Sequence, residues 1–182
     1  GLGKTIEAGI IIRQMLLDNP NLRVQLILPP FLVDQWKREL IRKFRVQDFT
    51  RAHVRFSRDD EPGAWDEADL VVVDEAHNLA RMSASARPEL AARFHRLREI
   101  ALQSPRLLLL SATPALHNED AFLAMLKLLD PTVYADTTAE QLRSRLESRA
   151  DLGRIFLGLQ ASLPGVLLKG RLAEIEASFP DD

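Results

Sequence analysis

Apolar positions along this chain alternate between two rhythms. Short, nearly continuous runs stand at Val24 to Leu28, Leu70 to Val73 and Leu107 to Leu110. Between them lie longer stretches in which apolar residues return every third or fourth position. The first rhythm predicts strands buried on both faces, the second predicts helices, and their alternation predicts a mostly parallel sheet covered by helices. Lys4 to Leu17 carries Ile6, Ile10 and Leu17, holds an acid in its first turn and stops at Asn19-Pro20, so it reads as a helix. Val24 to Leu28 ends at Pro29-Pro30, whose rings cannot donate to a ladder.

Leu32 to Phe44 places Val33, Trp36, Leu40 and Phe44 on one helical face, and residues 52 to 57 alternate weakly, as a short strand would. Leu70 to Val73 is continuous and branched. Pro88 to Leu102 reads as a helix with proline at its start, Leu107 to Leu110 as the next buried strand, and Glu119 to Leu129 as a helix closed by Asp130-Pro131. Beyond Pro131 the pattern changes: Thr138 to Arg149 opens on a threonine cap and Leu152 to Leu163 is apolar with two glycines. The expected division is residues 1–134 as one lobe and 135–182 as a small helical extension.

Bulk composition narrows the class without naming it. The 46% apolar and 27% charged fractions over 182 residues are those of a globular domain with a full core. Zero cysteines exclude disulfides and thiolate metal sites. No apolar run reaches the roughly 18 residues of a membrane span, and no secretory leader is recognisable, so a cytoplasmic location is expected. The net charge of -2 hides a local asymmetry: residues 34–58 carry eight bases against three acids, and residues 59–75 carry eight acids and no base. Such a basic stretch is a solvated helix face or, beside a phosphate site, a backbone contact for nucleic acid.

Candidate chemistry sits at the ends of the predicted strands. Gly1-Leu2-Gly3-Lys4-Thr5 is a glycine turn opening a helix, where backbone N–H groups and the helix dipole favour phosphate oxygens. It matches the second half of a phosphate loop, whose leading glycine and preceding strand would come earlier, so the chain reads as a fragment. Gly1, Gly3, Lys4, Thr5 and Ile6 are the expected nucleotide contacts, with the Thr5 hydroxyl also offered to Mg²⁺. Asp74 and Glu75 close the strand Leu70 to Val73, where a parallel sheet turns its ligand crevice. Asp74 is expected to hold Mg²⁺, and Glu75 to orient and deprotonate an attacking water. The other histidines, His53, His95 and His117, show no metal-ligand spacing with His77, so His77 is read as a hydrogen-bonding relay toward Ser111 and Thr113.

Taken in order, Gly-Leu-Gly-Lys-Thr-Ile-Glu-Ala-Gly, the Leu28-Pro29-Pro30-Phe31-Leu32-Val33-Asp34-Gln35-Trp36 segment, Asp74-Glu75-Ala76-His77 and Ser111-Ala112-Thr113-Pro114 resemble motifs I, Ia, II (a DEAH box) and III of superfamily 2 motors. The resemblance is to the Swi2/Snf2 group and its RapA-like branch, and residues 105–134 further resemble DpdE-type proteins of phage-defence and DNA-modification clusters. It implies a RecA-like P-loop lobe of three layers, ATP and Mg²⁺, and movement along duplex DNA without sequence reading. It implies catalytic roles for Lys4, Glu75 and His77, metal binding by Thr5 and Asp74, coupling by His77, Ser111 and Thr113, and nucleic-acid contacts at Pro30, Leu32, Gln35 and Lys37. Trp36, at helical spacing with Val33 and Leu40, fits a core position as well as a contact.

Two departures accompany the likeness. Arg51 to Trp65 shows no counterpart of a second DNA-contacting motif. The second lobe with its arginine finger is absent from the sequence, and such a finger is worth on the order of 10³ to 10⁵ in rate, so this lobe alone is expected to hydrolyse ATP barely. Partners implied are duplex DNA, that second lobe, and RNA polymerase or a defence-system protein. The alternatives are a strand-separating helicase or a non-motor lobe that recruits a partner.

Overall fold

The computed structural model describes residues 3–112 and 118–147. Helix α1, Lys4–Asp18, is followed by strand β1, Arg23–Leu28, a single 3₁₀ turn at Pro30–Leu32 and helix α2, Val33–Phe44. Strand β2, His53–Arg58, precedes β3, Leu70–Val73, and the short helix α3, Ala76–Arg81. Helix α4, Pro88–Gln103, leads to β4, Leu107–Leu109, and helix α5 spans Glu119–Leu129. By compactness the chain divides into residues 1–135 and 136–182. In the second unit residues 139–147 are helical. Their start is a reciprocal cap in which Gln141 N–H donates to Thr138 Oγ1 at 3.2 Å and Thr138 N–H to Gln141 Oε1 at 3.0 Å.

All four strands run parallel in the order β2-β1-β3-β4. Side-chain alternation splits the interior into two layers of core. Val24, Leu26, Leu28, Leu70 and Val72 pack with Ala8, Ile12 and Leu16 of α1 and with Trp36, Leu40 and Phe44 of α2. Ile27, Val71 and Val73 face Leu79 of α3, Leu97 and Ile100 of α4, and Ala121, Ala124, Met125 and Leu128 of α5. Each buried branched side chain contributes roughly 1.5–3 kcal/mol. The result is the expected α/β three-layer fold.

Because β1 connects to β2 through α2 on one face, and β3 connects to β4 through α4 on the other, the strand order reverses between β1 and β3. Open α/β sheets bind ligands outside the carboxyl ends of strands at such a reversal. The two segments that leave those ends are Pro29–Trp36 and Asp74–Asn78.

Two expectations are corrected. The buried face of α1 is Ala8, Gly9, Ile12 and Leu16, while Ile10 and Leu17 stand 58% and 55% exposed. This helix is apolar nearly all round, so spacing did not select a stripe. Packing did: a methyl on Gly9 would overlap the ring of Phe44, so only the small-residue face lets α2 approach. The second correction concerns β4, which borders the sheet among the described residues, with Leu107, Leu108 and Leu109 only half-buried. An element not foreseen from the sequence is α3, six residues that directly follow the acidic strand end and whose length gives too little periodicity to read. Leu152 to Leu163 lies outside the described residues.

The charge asymmetry largely resolves into local pairs. Arg55 pairs with Asp66, Arg58 with Asp60 at 2.7 Å and Glu61 at 3.4 Å, and Arg23 with Asp69 at 2.8 Å. The exposed arginines thus compensate the acidic tract beside them. Such pairs contribute little each to stability.

Candidate active site

Lys4 begins α1 directly after Gly3, whose φ of 130° is open to glycine and strained for any residue with a Cβ. The Gly3 carbonyl accepts from Glu7 N–H at 2.9 Å, which starts the helix. Across the cleft, Asp74 extends β3 by one ladder step, its N–H donating to Ile27 O at 3.0 Å. Glu75 then turns the chain, with φ 48° and ψ 42° in the left-handed region that non-glycine residues seldom adopt. That turn lets Ala76 N–H bond Leu110 O at 2.9 Å and starts α3. It also aims the Glu75 carboxylate back at Lys4.

The charged groups form one connected set. Lys4 Nζ donates to Glu75 Oε1 at 2.6 Å and lies 3.6 Å from Asp74 Oδ1. The other Glu75 oxygen, Oε2, is 3.3 Å from His77 Nδ1, which is also 3.0 Å from Ser111 Oγ. Ser111 Oγ can donate to Nδ1 or accept from it, according to the histidine tautomer. Asp74 is 5% exposed and held from two sides: Trp36 Nε1 donates to Oδ2 at 2.9 Å and Glu75 N–H to Oδ1 at 2.9 Å. Those bonds compensate a carboxylate whose burial would otherwise be costly.

Burial pushes the Glu75 carboxyl up, but the hydrogen bond and charge of Lys4, with help from His77, outweigh it and hold the group below the usual carboxylate range. Burial pushes His77 down, opposed by Glu75 and aided by Arg81 and Lys4, so the imidazole is neutral at physiological pH. The site therefore holds an ionised carboxylate next to a neutral histidine.

A cleft of about 430 Å³ is lined by Lys4, Thr5, Phe31, Leu32, Gln35, Trp36, Asp74, Glu75, His77 and Asn78. Of the residues singled out from sequence, Lys4, Thr5, Asp74, Glu75 and His77 meet there, and Ser111 is bonded to them through His77. Leu32 and Gln35 line the same cleft, Gln35 donating to Glu39 at 3.1 Å. Pro30 and Lys37 are exposed, and the Lys37 ammonium lies 5.8 Å from the centre of the Phe56 ring. Ile6 is partly buried against the α1 and α2 core, away from the cleft lining. Gly1 and Thr113 lie outside the described residues.

The hard oxygens of Thr5 and Asp74 share this cleft, and among the described residues no cluster of three or more His, Cys, Asp or Glu forms an all-protein cage. That donor set fits Mg²⁺, which takes few protein ligands and completes its shell with water and phosphate oxygens. Sequence reasoning missed the bond from Trp36 to Asp74, and Phe31 and Asn78 as lining. The one available signal was that a buried indole N–H needs an acceptor.

Residues 43–122 match the DEAD/DEAH box helicase family. The RNA polymerase-associated protein RapA of Pseudomonas putida (strain GB-1) is 30% identical over 92% of this chain, and RapA of Pseudomonas aeruginosa (strain LESB58) is 31% identical over the same share. The chain is a relative of the Swi2/Snf2 helicase-like ATPases. It spans 21% of the length of those RapA proteins. The SWI2/SNF2 ATPase core of Sulfolobus solfataricus, solved in complex with dsDNA, superposes with a TM-score of 0.58 at 18% identity, covering 79% of this chain and 32% of that one. At that identity the match speaks to fold, and the fold is RecA-like. The family match contains Asp74, Glu75, His77 and Ser111. Among the described residues no helix is long and apolar enough to cross a membrane.

Proposed function

We propose that residues 1–134 are the first lobe of an ATP-hydrolysing, duplex-DNA-dependent motor of the Swi2/Snf2 type, and that residues 135–182 lead toward a second lobe. The observation that carries this reading is the convergence of Lys4, Asp74, Glu75, His77 and Ser111 at the carboxyl end of β1 and β3. Gly3, Lys4 and Thr5 cradle the phosphates at the start of α1. Mg²⁺, when bound by Thr5 and Asp74, would neutralise developing charge on the phosphates.

Phosphate oxygens compete with Glu75 for the Lys4 ammonium. Once Lys4 turns to phosphate, the Glu75 carboxylate is free to accept a proton from water. Neutral His77, with Nδ1 beside both Glu75 Oε2 and Ser111 Oγ, couples the carboxylate to the segment that follows β4. The exposed Pro30, Gln35 and Lys37, with half-buried Leu32, would meet the nucleic-acid backbone, where contacts position without reading sequence.

The test is ATPase activity of the full-length protein with and without duplex DNA, for parent and Glu75→Gln. Stimulation by duplex in the parent and its loss in Glu75→Gln are expected. Robust separation of strands would move the reading to a helicase proper. A second reading rests on the relatives' name: a lobe that recruits RNA polymerase, or by the DpdE likeness a defence protein, irrespective of ATP turnover. It predicts partner binding and biological activity unchanged by Glu75→Gln.

A further inference from the structure

Trp36 and Asp74 are 38 positions apart in the chain and belong to different layers of the fold. Trp36 is 1% exposed, packed among Leu28, Leu40 and Val72, yet its indole edge reaches the cleft and donates to Asp74 Oδ2 at 2.9 Å. Asp74 itself is buried, and its Oδ1 is already occupied by the Glu75 N–H. The carboxylate thus has Lys4 of α1 as an ion-pair partner at 3.6 Å and accepts two hydrogen bonds, one from the backbone beside it and one from the Trp36 side chain of another element. That donor belongs to the first turn of α2, one residue after Gln35 and one before Lys37, on the segment whose outer side is exposed.

We infer that Trp36 is a positioning residue for the metal-binding carboxylate, and that its indole N–H ties the exposed Pro30 to Lys37 segment to Asp74. The inference rests on the nucleotide-site reading above. A rigid bicyclic side chain, wedged in the core at one end and bonded to Asp74 at the other, has no slack. Displacement of the first turn of α2 therefore moves Oδ2 or breaks the bond. Partners that orient a metal-binding group typically change metal affinity or activity by 10–100-fold when removed. Coupling is reciprocal in binding free energy, so a ligand on the outer side of the segment and a metal at Asp74 each alter the affinity of the other.

The protein supplies its own control. Trp65, also 1% exposed, donates its indole N–H to Arg58 O at 2.7 Å in the opposite core layer, with no link to Asp74. Replacing either tryptophan by phenylalanine removes an N–H and leaves a smaller ring in a packed interior, so both variants lose stability. Only Trp36→Phe should disturb the metal.

The experiment measures Mn²⁺ affinity by electron paramagnetic resonance in the full-length protein saturated with a non-hydrolysable ATP analogue. Trp36→Phe is expected to weaken Mn²⁺ about tenfold or more, whereas Trp65→Phe stays near the parent. Duplex DNA is expected to shift Mn²⁺ affinity in the parent and to leave it unshifted in Trp36→Phe. Parent-like Mn²⁺ affinity in Trp36→Phe, equal weakening in both variants, or an undiminished DNA effect in Trp36→Phe would each overturn the inference.

Should Trp36→Phe fail to fold, fluorine NMR of 5-fluorotryptophan protein gives the answer without it, with the resonance assigned through Trp65→Phe and Asp74→Asn. A Trp36 signal that moves with metal and nucleotide supports the link; one that stays still while nucleotide binds overturns it. A parent that binds no nucleotide is a separate result, and overturns the nucleotide reading along with this one.

Discussion

Lys4 and Glu75, 71 positions apart in sequence, are joined by a 2.6 Å bond between ammonium and carboxylate at the mouth of the sheet. Both side chains are mostly shielded, 18% and 22% exposed, so the pair is tighter than a surface ion pair and still reachable from the cleft. The partner that a phosphate would take from Lys4 is the group expected to act on water.

Removing either member separates binding from chemistry. Lys4→Ala should abolish detectable nucleotide binding in the full-length protein, read by calorimetry or a fluorescent analogue. Glu75→Gln should keep nucleotide affinity while lowering turnover by roughly 10² to 10⁴, the usual worth of a general base. Unchanged affinity in Lys4→Ala would remove that residue from the site.

Acid should destabilise the fold in two windows of the same sign. His77 is depressed in the folded state, so the unfolded chain takes up that proton first and stability falls once pH drops below about 6.5. Glu75 is depressed too, so its contribution is present above the ordinary carboxylate pKa of about 4.3 and is lost as pH falls through the folded value. His77→Gln should erase the first window in a denaturant titration across pH and leave the second.

Gly9→Ala should cost about 1–3 kcal/mol, since the added methyl meets the Phe44 ring in a packed interior. Urea unfolding of Gly9→Ala beside Gly9→Ala/Phe44→Leu would check the cause. Partial recovery in the double variant identifies the overlap; none would place the cost elsewhere.

Asn118→Ala should cost about 1 kcal/mol, because Asn118 Oδ1 accepts from Ala121 N–H at 2.9 Å and caps α5. Asn118→Asp keeps the acceptor and should restore most of the loss in thermal unfolding.

What was legible in the sequence was what depends on neighbours in the chain. Leu70 to Val73 reads as a buried strand because four branched residues stand in line, and all four are buried. Glu119 to Leu129 reads correctly at both ends, with Asp130-Pro131 as its stop, and the structure adds the Asn118 cap. The motif blocks give Lys4, Asp74 and Glu75 as candidates, and the parallel topology brings them together. What was not legible depends on contacts across layers. The buried side of α1 is chosen by Phe44, and the second identity of Trp36, core residue and hydrogen-bond donor at once, appears only when Asp74 is beside it.

The close seat of Phe44 over Gly9 has a mechanical side. Arg13 Nη1 also donates to Phe44 O at 2.5 Å, so α1 and α2 are held together by the close seat of the Phe44 ring on Gly9 and by a bond to the last turn. Two rods clamped in that way behave as a single stiff yoke. The spacing of the two helices is therefore set at the Gly9 to Phe44 contact, next to which Arg42, Lys43 and Arg45 face solvent.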